Sequence, residues 1–219
     1  MNSVKQLLSR EKLWLTFIIF YSVGIGMYMH PVMRELFFYV TPFTLVLSVF
    51  AIFYYHKEWN IKDVFVFFFI YVSSFFIEVA GVATGKIFGV YTYGVGLGVK
   101  ALGVPLLIGL NWVVLIYTSN AIISHLTNKK IWIVVGGSVL MVLYDVILEI
   151  AAPFMMMWEF QGNHPPLNNY LMWFVLSIVF HLAMVVFKIN TENKPARNLF
   201  IIQMVFFLII VVYSLLFIK

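Results

Sequence analysis

Apolar runs of 17 to 24 residues, separated by short polar clusters, dominate the pattern along this chain. A bilayer's hydrocarbon core, about 30 Å thick, needs roughly 20 apolar residues per helix. On that length the pattern predicts seven transmembrane helices, at about 13–29, 36–55, 64–83, 101–124, 131–152, 168–187 and 198–218. The breaks carry their own chemistry: His30-Pro31 with Arg34-Glu35, then His56-Lys57-Glu58, Asn128-Lys129-Lys130, the polar run from Gln161 to Pro166, and Thr191 to Arg197. The fold class expected is an all-α integral membrane bundle forming one domain over residues 1–219.

Composition agrees. Hydrophobic residues make up 63% of the 219 residues and charged ones only 11%, with a mean hydropathy of +0.99, beyond what a soluble domain of this size tolerates. The absence of cysteine excludes disulfides, thiolate metal sites, iron–sulfur clusters and thiol nucleophiles. A basic flank precedes the first apolar run, but no small-residue cleavage site follows it, so this run reads as a retained helix.

Charge sets the orientation. Lys5, Arg10, Lys12, Lys57, Lys62, Lys129, Lys130, Lys188, Lys194 and Arg197 fall on the amino-terminal side, against Arg34, Lys86, Lys100 and Lys219 on the other. Ten against four predicts a cytoplasmic amino terminus. The net charge of +5 then belongs to cytoplasmic loops, not to a nucleic-acid surface.

Three acidic residues lie inside predicted spans: Glu78 in the third, Asp145 and Glu149 in the fifth. Each charge there costs roughly 2.5–3.5 kcal/mol on insertion scales. At about 1.5 Å per residue, Glu78 and Asp145 both lie roughly 21 Å from the starts of their spans, at one level. Asp145 and Glu149, spaced i, i+4, share a helix face. Two ionised carboxylates close together in low dielectric are unstable, so at least one of the group is expected to hold a proton. An acid beside an ionised base is the pairing general acid–base chemistry uses. The alternatives are interhelical hydrogen-bonding glue and an ion pair with Lys86 or Lys100. Asn111, beside Trp112 in the fourth span, is a candidate to orient water. His181 and His125 have no second histidine at i+3 or i+4 and read as structural, so no metal is assigned.

Seven of the 13 glycines fall between Gly81 and Gly103. Gly81-Val-Ala-Thr-Gly85-Lys86-Ile87 is one residue short of a phosphate-binding loop and lacks its Ser/Thr, and Gly94-Val-Gly96-Leu-Gly98 follows no predicted strand. What remains is a glycine-rich outer loop bearing Phe88, Tyr91 and Tyr93, apolar enough to re-enter the membrane as a lid, with a surface hairpin as the alternative. A second outer loop, from Trp158 to Asn169, is placed to cap the same cavity.

Glu78-x-x-Gly81-x-x-Thr84-Gly85-x-x-Phe88-Gly89-x-Tyr91-x-Tyr93, then Gly103-Val-Pro105 and Asn111-Trp112, resembles the membrane-bound carotenoid 1,2-hydratases, also called bisanhydrobacterioruberin or γ-carotene hydratases. Asp145-x-x-Leu148-Glu149, Trp158-x-Phe160 and Pro166-Leu167-x-Asn169-Tyr170-x-x-Trp173-Phe174 look like later blocks of the same family. That family usually places proline directly after the second acid, where this chain has Ile150-Ala-Ala before Pro153. The resemblance implies cofactor-independent addition of water across the terminal C1=C2 bond of an acyclic carotenoid end. On that resemblance Glu78 and Asp145 would divide the acid and water-activating roles, in either order, with Glu149 and Asn111 in support. Tyr91, Tyr93, Trp112, Trp173 and Asn169 would bind substrate. Partners would be a polyene from the bilayer, water, lipid and other carotenoid-biosynthesis enzymes, at the cell membrane. A lycopene-type cyclase and a proton-coupled carrier are the alternatives. A retinal Schiff base is excluded because Leu199–Ile218 contains no lysine.

Overall fold

The computed structural model describes residues 12–218; Lys5, Arg10 and Lys219 of the charge count lie outside them. Among the described residues seven helices follow one another: α1 (Leu13–Met29), α2 (Arg34–Tyr54), α3 (Ile61–Thr84), α4 (Leu107–Leu126), α5 (Lys130–Phe154), α6 (Leu167–Val186) and α7 (Lys194–Phe217). Six of them, 20 to 25 residues long, have the length and apolarity to cross a membrane, and α1, at 17 residues, is the short one. The protein is a multi-pass integral membrane protein.

Helix ends follow local chemistry. Asn60 caps α3, its side chain accepting from the Lys62 N–H at 2.8 Å while the Asp63 carboxylate accepts from the Asn60 N–H at 2.8 Å, a reciprocal capping box. At the other end Gly85 takes the left-handed conformation (φ 64°) and stops the helix. Asn193 caps α7, whose first turn holds Pro195.

α4 is the hub, packed against α2, α3, α5, α6 and α7, and every residue from Trp112 to Ala121 is buried. A helix apolar on all sides belongs inside a bundle. Its polar residues are satisfied locally: Thr118 donates to the Val114 carbonyl at 2.7 Å, and Ser119 meets both the Leu115 carbonyl (2.5 Å) and His181 Nε2 (3.0 Å). His181 Nδ1 lies 2.8 Å from the Ser177 carbonyl, which leaves this histidine a packed structural group. The outer helices turn apolar stripes outward, in α2 Leu36, Tyr39, Phe43, Leu47, Phe50 and Tyr54, all exposed at helical spacing. Such a face is solvated by lipid.

The fourth span starts later than its predicted residue 101. Residues 100–105 form a hairpin of β2 (Lys100–Ala101) and β3 (Val104–Pro105), turned by Leu102 (φ 53°) and Gly103 (φ 81°), and the helix begins only at Leu107. Ahead of it β1 (Tyr91–Tyr93) pairs antiparallel with β4 (Trp158–Phe160), Tyr91 opposite Phe160 and Tyr93 opposite Trp158. The pairing continues as Gly94 N–H to Met157 O (2.8 Å) and Gly96 N–H to Met156 O (2.7 Å). A Cβ at Gly94 or Gly96 would come within 2.2 or 2.4 Å of a Met156 or Met155 carbonyl oxygen, so glycine is required for this close approach. The glycine-rich loop is thus a two-stranded cap, tied to the chain that leaves α5.

Candidate active site

Glu78 sits six residues before the end of α3, 4% exposed. The cap lowers two phenols onto it: Tyr91 donates to Oε2 at 2.5 Å and Tyr93 to the same oxygen at 2.8 Å. Trp112 from α4 makes a longer 3.4 Å contact through its indole N–H with Oε1. Strand alternation explains the pair of tyrosines, since Tyr91 and Tyr93 point to one face while Thr92 between them is exposed. Burial, and next the Glu78 carboxylate itself, push both phenols well above the ordinary tyrosine range. They therefore remain protonated donors at any working pH.

Across α4, Asp145 and Glu149 occupy one face of α5 and are joined by α6. Asn169 spends both amide hydrogens on them, one on Asp145 Oδ2 (3.1 Å) and one on Glu149 Oε1 (3.0 Å). Trp158 donates its indole N–H to Glu149 Oε2 at 2.8 Å. Asp145 is wholly buried, and its Oδ1 has no hydrogen-bond partner among the described residues. That leaves one place for a shared proton in an otherwise saturated arrangement.

Glu78, Glu149 and Asn169 line a single narrow recess with a free volume of about 10 Å³, walled by Tyr91, Tyr93, Trp173, Phe88, Phe160 and Ile108. Trp112 and Trp173 stack with centroids 4.3 Å apart. No lysine or arginine among the described residues forms an ion pair with the three acids. Lys86 is exposed, and Lys100 instead donates to the Tyr93 carbonyl. Asp145 lies behind Glu149, so Glu149, not Asp145, is the α5 acid that faces the recess. Asn111 lines a different, larger cleft, beside Tyr144, Leu148 and Trp158.

Phe88 on the lid and Trp158 and Phe160 in the second outer loop were expected over the cavity but given no part at the acids, and all three line the recess. Their signal was the period-two Trp158-x-Phe160, matched in spacing by Tyr91-x-Tyr93, which is the register in which the two strands pair.

The sequence of residues 38–219 matches the model of a family described as carotenoid biosynthesis protein. The chain belongs to that family. Comparison with curated proteins and with solved structures returns no match. Membership in the carotenoid biosynthesis family gives this membrane protein an enzymatic role in carotenoid biosynthesis.

Proposed function

We propose that this protein hydrates an acyclic carotenoid, adding water across the terminal C1=C2 bond to give a tertiary alcohol. The observation that carries the reading is the pairing, in one aromatic recess, of two unlike carboxyl systems without a cation. Glu78 accepts three hydrogen bonds, a setting that suits a carboxylate. The Asp145–Glu149 pair shares one amide clamp and suits a single shared proton.

In this mechanism Glu149 gives its proton to C2, and the π electrons of C1=C2 form the new C2–H bond. The positive charge left at C1 is tertiary and lies against the faces of Trp173 and Tyr91, each contact worth roughly 0.5–2 kcal/mol. A water oxygen bonds to C1 while Glu78 takes the water's proton. Transfer of that proton from Glu78 back to Glu149 across the recess restores the enzyme, and neither oxidant nor cofactor is consumed. Asp145 buffers the charge on Glu149, and Asn169 holds the pair together.

Expression in a host that accumulates lycopene or γ-carotene tests this. The expected product is heavier by one water, with its hydroxyl oxygen drawn from isotopically labelled water. A product of unchanged mass would indicate cyclisation of the same cation. No product would overturn the assignment.

A further inference from the structure

Beside the recess lies a second, larger space that the hydration chemistry does not use. Its free volume of about 60 Å³ lies between α1, α2, α5 and α7, beneath Leu97 of the cap. Its walls are mostly apolar, with rings from Phe20, Phe37, Phe206 and Phe207. Along α5 it extends from Tyr144 to Met155, about 16 Å at the helical rise and so roughly half of a bilayer's hydrocarbon thickness.

We propose that this cleft binds the polyene chain of the substrate next to its reacting end, with Trp158 as the partition between chain and acid. The inference rests on the hydration reading for the identity of that end. Three observations choose the occupant. Trp158 borders both spaces and donates to Glu149 from within the wall, so the cleft and the site share a wall residue that itself contacts the acid. No charged side chain lines it, which rules against a hydrophilic ligand. It runs past half-buried Phe20, Thr44 and Leu45, between α1 and α2, next to the lipid-facing stripe of α2. A polyene longer than the cleft would leave by that gap into the bilayer, while Leu97, anchored by the Gly94 and Gly96 bonds to Met157 and Met156, closes the end above.

The test uses the full chain, purified in detergent, with lycopene as the probe. An achiral polyene shows circular dichroism in its visible band only when a chiral site holds it in one twist. The wild type is expected to induce that signal, and Glu149→Gln to keep it while losing product. Thr44→Trp and Gly24→Leu fill the cleft and should weaken binding by about tenfold or more, whereas Phe43→Trp, on the lipid face, should not. Leu45→Phe is the milder filling change should the first two lose their fold, as judged by thermal melting without lycopene. Undiminished signal in the folded filled variants, or its full displacement by saturated phospholipid, overturns the cleft assignment, as does absence of signal in the wild type. A signal that is sensitive to filling, from a wild type that makes no hydrated product, leaves the cleft standing and removes the hydration reading.

Discussion

Replacing Asn169 with leucine isolates the acid pair. The side chain is 1% exposed and both amide hydrogens are committed, at 3.1 and 3.0 Å, to Asp145 and Glu149. Leucine keeps the branching and the number of heavy atoms, so the change falls chiefly on two hydrogen bonds. With one proton shared by the pair, one bond meets an ionised oxygen, worth roughly 1.5–3 kcal/mol, and the other a neutral one, worth about 1 kcal/mol. The stability loss should be about 2–4 kcal/mol on the same scale, seen as a lower melting temperature in detergent. The rate effect is separate. When Glu149 has given up its proton both bonds become charge-assisted, so the transition state loses more than the ground state, by about 1–2 kcal/mol. At 1.36 kcal/mol per tenfold, this slows hydration roughly 5- to 30-fold. The assay is the initial rate of hydrated product in membranes, normalised to the amount of folded protein. A normalised rate within twofold of wild type would refute a role in proton delivery and leave Asn169 a purely structural clamp.

The remaining predictions are more direct. Glu149→Gln and Glu78→Gln keep much of the local hydrogen bonding but can neither give nor take the proton, and each should cut the hydration rate by roughly 10²- to 10⁴-fold, read as product per folded enzyme. Gly96→Ala places a Cβ 2.4 Å from the Met155 carbonyl oxygen; displacing the cap should destabilise by about 1–3 kcal/mol, with activity falling too. Gly26→Ala, which meets nothing within 4 Å, should leave the melting temperature equal or raised, because alanine is the better helix former. His56, beyond the end of α2, is held below the ordinary histidine value of 6.5 chiefly by burial, with Asp63 at 3.5 Å opposing. A histidine kept neutral by the fold takes up protons more readily when unfolded, so stability should fall as pH drops below about 6.5. His56→Gln should flatten that acid slope in a melting series, and an unchanged slope would rule His56 out as its source.

The seven helices could be read from the sequence because hydrocarbon thickness fixes the length of an apolar run and the caps at Asn60, Gly85 and Asn193 are local. That Glu78 and the α5 acids come together was legible in part, since helical rise turns residue counts into height, and Glu78 and Glu149 do line one recess. Azimuth and loop pairing were not. Glu149 rather than Asp145 faces the recess, and Asn111 turns into the neighbouring cleft while Trp112 beside it reaches Glu78. Both outcomes depend on how α4 and α5 rotate against α3 and α6, which is set by packing over the whole helix surface. The partner of the glycine-rich loop was not legible either: Gly94 and Gly96 let residues 91–96 approach Met155–Phe160, about sixty residues away in sequence. The sequence by itself determined a membrane bundle with three acids inside its helices, because those follow from length and hydropathy. The tertiary structure decided which acid meets which donor, because a hydrogen bond depends on angle and distance between segments that no local pattern encodes.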